Sequence, residues 1–287
     1  MQTSEITALA QQACHQARLP ADGIEPIRLR DNLMLRTAGG TVIRIHPPGT
    51  YDVAVRELRV ADWLRSHRIP SAEPLVPDPV TVAGRPVTFW EDLGDQVPAE
   101  PAHTARALLR LHSTRVPSHL ALPRFTLPDY PKRIREAQTS HSARHWLTRH
   151  AAQLVTRWDA MPWPDEWCVI HADPSPHNTM RTPEGTYLVD LEGVAVGPRQ
   201  WDQATIAFQS DTLAEPPSYW EEFRDAYGTD VTAWAGYTLI RDIRSLGLAL
   251  FALRHADTSD HARSQADYRL ACLMGRHGER PWKWVAP

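Results

Sequence analysis

His171-Ala172-Asp173-Pro174-Ser175-Pro176-His177-Asn178 is the stretch on which the reading of this chain turns, and twelve residues past Asn178 an apolar run ends in Asp190-Leu191-Glu192. Moving a phosphoryl group from a nucleotide to an alcohol needs a carboxylate that orients the hydroxyl and accepts its proton, plus oxygen ligands that fix magnesium on the phosphates. Asp173, Asn178 and Asp190 supply that set. Val169-Ile170 and Tyr187-Leu188-Val189 have the composition of short buried strands, and Thr182-Pro183-Glu184-Gly185 between them carries a turn signal. The expectation is a hairpin of these two strands that brings Asn178 and Asp190 close enough to share a metal. A lone His-x-Asp would say little, since Asp caps turns and His fills cores. The weight lies in the combination.

Farther along come Gly193 and Gly197-Pro198-Arg199-Gln200-Trp201-Asp202. With these included, the chain resembles the aminoglycoside phosphotransferase and choline kinase family, kinase-fold enzymes that phosphorylate small molecules. That family's usual catalytic run is His-Gly-Asp-x-x-x-x-Asn, with Asp-x-Glu or a similar triplet downstream and then Gly-x-x-x-x-Asp. The resemblance implies an α+β, two-lobed protein kinase-like fold. A small mixed sheet-plus-helix lobe would cover residues 1–91 and bind the nucleotide, and a larger, mostly helical lobe would cover 92–287 and bind the acceptor. It further implies Asp173 as catalytic base, Asn178 and Asp190 as ligands of Mg2+, and ATP or GTP as donor. His171 would brace the catalytic loop from below, and Glu192 would reach a second metal or the substrate.

Only two lysines occur, Lys132 and Lys283, against 29 arginines. A kinase-like site normally uses a strand lysine of the smaller lobe on the α- and β-phosphates, and the first hundred residues contain none. An arginine must substitute. Residues 41–46, Thr-Val-Ile-Arg-Ile-His, form the best strand of that region, and alternation sends Val42, Arg44 and His46 to one face. Arg44 is therefore the candidate. Residues 51–68 follow with apolar residues at helical spacing and Glu57 in the middle, so that Glu57 can pair with Arg44.

Around this strand, residues 3–18 read as a helix and residues 24–30 and 33–37 as strands about Asp31-Asn32, where a loop covering the phosphates belongs. Residues 86–90 read as a strand ending at Glu91-Asp92-Leu93-Gly94. The resemblance puts the hinge between lobes there, with backbone groups of Phe89, Trp90 and Glu91 meeting the edge of the nucleotide base. Beyond it, residues 102–113, 146–158, 219–227, 234–256 and 262–274 carry helical patterns.

Charge and composition exclude other classes. A net charge of −3 gives no reason to expect nucleic acid as partner. No apolar run has the length of a membrane span, and the Met1-Gln2-Thr3-Ser4-Glu5 start lacks a signal peptide's basic and apolar regions, so the expectation is a cytoplasmic protein. Cys14, Cys168 and Cys272 lack metal-site spacing and read as reduced thiols. Residues 201–230 hold seven acids and one arginine. In the resembling family this segment lines the acceptor cleft, which favours a cationic acceptor such as an aminoglycoside-like antibiotic over a neutral metabolite. Two alternatives remain: a catalytically silent nucleotide-binding module, suggested by the missing lysine and by Pro174-Ser175-Pro176, and a phosphoesterase using His171, Asp173, His177, Asp190 and Glu192 as a divalent-metal cluster.

Overall fold

The structure, a computed structural model, describes residues 2–29 and 33–285. The turn expected at Asp31-Asn32 lies outside the described residues. Contacts divide the chain into two compact units, one comprising Met1–Glu100, Leu109–Pro123 and Pro176–Ala195 and the other Pro101–Leu108, Arg124–Ser175 and Val196–Pro287. A single cut after residue 91 therefore does not describe the partition.

The first unit is built on a five-stranded antiparallel sheet of β1 (Glu25–Leu29), β2 (Leu33–Arg36), β3 (Thr41–Ile45), β4 (Val80–Val82) and β5 (Arg85–Glu91), in the order β1-β2-β3-β5-β4. The period of two in strands sorts its residues onto two faces. Leu35, Ile43, Ile45, Val87 and Phe89 point to one face and bury with Ile6, Ala10 and Cys14 of helix α1 (Thr3–Ala17). Each large apolar side chain removed from water there contributes about 1.5–3 kcal/mol. On the opposite face lie Arg44, Thr88 and Trp90, next to helix α2 (Tyr51–Ser66), which buries Ala54, Glu57, Leu58, Ala61 and Leu64 at helical spacing. β3 is an inner strand, so Arg44 is not an edge residue pointing at water.

Strand β6 (Val97–Pro98) pairs with β8 (Thr179–Thr182), which pairs with β9 (Gly185–Leu188). Here the expected hairpin is corrected. The turn at Thr182 to Gly185 closes β8 on β9, and its Gly185 takes a φ of +153°. Val169-Ile170 instead belongs to β7 (Cys168–Ile170) in the second unit, where it pairs with β10 (Ala195–Gly197). A turn joins the strands that directly flank it, and Thr-Met-Arg-Thr is too polar to have been recognised as one of them.

The second unit packs helices α4 (Tyr130–Glu136), α5 (His141–Asp159), α6 (Arg199–Asp211), α7 (Pro217–Tyr227), α8 (Tyr237–Arg254) and α9 (Asp260–Leu273), with α3 (Pro101–His112) leading into it. Helix α6 is its centre, buried from Gln200 through Gln209. An aromatic layer of Phe125, Trp158, Trp163 and Trp201, with centroids 4.5–5.7 Å apart, fills the space beside β7 and β10. Gly197 is required by this packing, because a Cβ there would lie 2.5 Å from Ile170 and 2.8 Å from Phe125. The cysteines are all buried and unpaired, and among the described residues no helix is long and apolar enough to cross a membrane.

Candidate active site

In the first unit, sheet alternation and helix periodicity bring four charged side chains together. Arg44 donates from Nη1 to Glu57 at 2.5 Å, and from Nη2 to Asp190 at 2.9 Å and Glu192 at 2.7 Å. Burial opposes the guanidinium charge, but the three carboxylates outweigh it and raise the pKa of Arg44. Asp190 has a left-handed backbone, φ 59° and ψ 58°, a conformation that Asp tolerates better than most residues. The Val189 N–H donates to the Asn178 carbonyl at 3.0 Å, so the stem of the β8–β9 hairpin sets Asn178 next to the strand end that carries Asp190.

Of these groups Arg44, Glu57, Asn178 and Asp190 line one cavity of about 250 Å3. They form a polar cluster in it, Met34, Val42, Ala72, Trp90, Met180 and Leu188 supply apolar lining, and Ser71, Glu91, Gln96 and His177 add further polar groups. A cavity that combines apolar walls with a few charged and polar groups suits a flat base with phosphates attached. Carboxylate and amide oxygens are the donor set of a hard divalent cation, and Asn178 and Asp190 fit Mg2+ on that ground.

The expected hinge needs a correction. Phe89 is fully buried on the α1 face of the sheet, its carbonyl accepts from the Leu75 N–H, and the Glu91 N–H donates to the Glu73 carbonyl, both at 2.9 Å. The Phe89 carbonyl and the Glu91 N–H are thus engaged by the 73–75 segment, which pairs alongside β5. Trp90 and Glu91 do line the cavity.

Two groups flanking Arg44 titrate in opposite senses. Burial, joined by the charges of Asp190 and Glu192, pushes Glu57 up to about 7 against the pull of Arg44. Burial and the Arg44 charge push His46 down to about 4. His46 is neutral at ordinary pH, and its Nε2 meets the Thr88 hydroxyl at 3.0 Å while that oxygen accepts from the Trp90 indole N–H. Between the ordinary value of 4.5 and about 7 the folded protein keeps a proton on Glu57 that the unfolded chain has lost, so this group lowers stability as pH rises. Between about 4 and 6.5 the unfolded chain holds a proton on His46 that the folded protein lacks, so this group raises stability with pH. Each slope is about 1.4 kcal/mol per pH unit, and the two oppose each other where they overlap. Relative to the parent, Glu57→Gln is expected to steepen the rise of stability with pH, and His46→Gln to tilt it the other way. Urea midpoints followed across that overlap read this directly, and three parallel curves would show that neither group is shifted.

In the second unit, β7 delivers His171, Ala172 and Asp173. His171 is fully buried, and its N–H donates to Asp202 Oδ2 at 2.7 Å; the Ala172 N–H donates to Asp202 Oδ1 at 2.9 Å. The Trp201 indole N–H donates to the Ala172 carbonyl at 2.7 Å. Ala172 has φ +72°, a left-handed turn where the resembling family's usual run carries glycine. Asp202 and Trp201, the first turn of α6, thus hold the loop by its main chain. The Gly197 to Asp202 segment was part of the sequence pattern, yet nothing in it announced this role. The Asp173 side chain is 58% exposed and meets Arg244 of α8 at 3.0 Å. Arg244 was not foreseen.

Among the described residues no group of three or more His, Cys, Asp and Glu is placed to hold a metal ion, so the five-residue cluster of the phosphoesterase alternative is not assembled. The acids of residues 201–230 are largely engaged. Asp202 holds the loop, Asp211 lies 3.6 Å from Arg241 and 3.5 Å from Arg280, Asp225 pairs with Arg224, and Asp230 caps Thr232. Glu215, Glu221 and Glu222 are exposed. Asp202 and Asp211 are thus held in structural contacts, while Asp225 stays 69% exposed beside Arg224 and part of the charge surplus remains at the surface.

A family model described as the phosphotransferase enzyme family matches residues 24–240. A comparison with curated proteins finds no match. Among solved structures, the chain is similar to a choline/ethanolamine kinase family protein from Mesorhizobium loti, at 23% identity over 96% of this chain and 94% of that one, TM-score 0.63. It is also similar to amicoumacin kinase in complex with AMP-PNP and Ca2+, at 12% identity over 99% of both chains, TM-score 0.72. A third is the GDP and kanamycin complex of APH(2")-IIia, at 15% identity over 94% and 97%, TM-score 0.61. These likenesses establish a mixed α+β, protein kinase-like fold.

Proposed function

Because this chain belongs to the phosphotransferase enzyme family, we propose that it transfers the γ-phosphoryl group of ATP or GTP to a hydroxyl of a small molecule, with Mg2+. The lining of one cavity by Arg44, Asn178 and Asp190 carries this reading. Support for a nucleotide donor comes from two similar structures, one holding AMP-PNP and the other GDP.

Asp173 takes the acceptor's proton as its oxygen attacks phosphorus. Arg44, held from behind by Glu57, contacts the phosphates through its second nitrogen, and Trp90 and Glu91 flank the base. Asn178 and Asp190 hold the metal, which when bound neutralises charge on the phosphates. Glu192 shares Arg44 with Asp190 and steers that nitrogen. His171, buried under the loop, keeps its backbone in place. The acceptor is a small alcohol, an antibiotic or a metabolite, and with most acids of 201–230 paired, an amine is not a requirement of it.

The test is nucleotide and Mg2+ calorimetry beside a turnover screen over amine-bearing and neutral alcohols. Asp190→Ala is expected to remove the magnesium dependence of nucleotide binding; an unchanged dependence would move the metal elsewhere. Tight nucleotide binding without transfer to any alcohol or to water would favour the silent module, and metal-dependent phosphate release without nucleotide the phosphoesterase.

A further inference from the structure

Two anchors hold the Asp173 loop within the second unit, and they grip different parts of it. Asp202 and Trp201 hold the main chain, as described above, whereas Arg244 holds the carboxylate itself, Nη2 to Oδ1 at 3.0 Å. The pair is lopsided. Asp173 is 58% exposed at its side chain and Arg244 only 13%. The guanidinium is wedged near the rings of Trp201 and Phe208, with centroids 5.7 and 5.9 Å from its carbon, and its Nε is buried without a hydrogen-bond partner. A long flexible side chain buried at this cost and presenting one nitrogen to an outward-facing carboxylate differs from a surface ion pair, whose two members are both wet and contribute little.

We propose that Arg244 is the positioning residue of Asp173: it fixes one carboxylate oxygen, so that the group cannot swing freely about its side-chain torsion, and its charge offsets that of the carboxylate as an anionic phosphoryl group approaches. This role rests on Asp173 being the base of the proposed transfer. In the step itself the acceptor's O–H bond breaks as its O–P bond forms, the bond from γ-phosphorus to the departing nucleoside diphosphate breaks, and the proton goes to Asp173. Arg244 touches none of the reacting atoms. It acts through the base, and through Trp201 it shares a wall with the loop's other anchor.

The experiment follows turnover of ATP and Mg2+ with glycerol as probe alcohol and water as the ever-present second acceptor, in the parent, Arg244→Gln, Arg244→Lys, Asp173→Asn and the Arg244→Gln/Asp173→Asn double variant. Arg244→Gln is expected to lower kcat about tenfold to a hundredfold with nucleotide KM unchanged, Arg244→Lys to lose less, and added guanidinium ion to restore part of the Gln variant's rate. In the Asp173→Asn background the same change should do nothing further, since residues acting as a unit are not additive. A merely structural arginine would give losses that add and would show no rescue. Equal kcat in Arg244→Gln and a parent that turns over, or additive losses, overturns this role alone. A parent with no turnover on either of these acceptors or on any alcohol of the screen above overturns the functional reading and this role with it.

Discussion

Asp173→Asn is expected to turn over about a hundredfold or more slowly than the parent while binding nucleotide with nearly unchanged affinity. The amide keeps the shape and can still accept from Arg244, so the loop, whose main chain hangs on Asp202 and Trp201, should stay as it is. What the amide lacks is a basic oxygen for the acceptor's proton. The groups proposed to hold the nucleotide and its metal, Arg44, Asn178 and Asp190, are untouched by the change, so the effect should fall on kcat and leave donor binding alone. Equal turnover in variant and parent would end the kinase assignment.

Arg44→Ala should be felt twice, in activity and in stability. One guanidinium serves Glu57, Asp190 and Glu192 together. Its removal leaves Glu57 buried and unpaired by that charge, and sets Asp190 and Glu192 against each other. Breaking a buried pair from one side costs about 3–5 kcal/mol, so a clear fall in the melting temperature should accompany the loss of nucleotide use. Mg2+ should recover more stability in this variant than in the parent, because a divalent cation can stand between Asp190 and Glu192 in the guanidinium's place. Arg44→Lys should keep partial function: an ammonium is a point charge and cannot fork toward α2 and the metal acids at once. Full activity in Arg44→Ala would pass the phosphate role to another basic residue, of which Arg36 is already paired with Asp92 at 2.8 Å.

The Arg44 to Glu57 contact was legible because two local periodicities suffice for it: alternation selects the face of β3 and helical spacing the face of α2. Pairings between strands were not legible in the same way. The turn at Thr182 to Gly185 was visible, but nothing in Thr179-Met180-Arg181-Thr182 marks it as the strand that turn would close. The hinge was only partly legible because hydrogen bonds to the Glu73 carbonyl and from the Leu75 N–H decide which β5 groups stay available, and a proline-rich connecting segment gives no sign of pairing alongside a strand. Arg244 stands 71 residues from its partner in an apolar run where, like Arg241 and Arg254, it reads as the wet side of a helix. The surplus of acids between 201 and 230 was legible only as a sum, since composition counts charges without their partners.

Ala172 has a further consequence, for how such a loop changes over generations. A left-handed alanine carries about 1–2 kcal/mol of strain in the folded chain, while glycine in its place would give back about 0.4–1 kcal/mol through a broader unfolded ensemble. The balance is between about zero and 1.6 kcal/mol, small beside the roughly 5–15 kcal/mol that keeps a domain folded. Alanine and glycine are one nucleotide substitution apart, so this position can drift between them with selection nearly blind to the exchange. What is inherited at the centre of His171-Ala172-Asp173 is a dihedral angle, and the identity of the residue that adopts it is free to wander within the few that can.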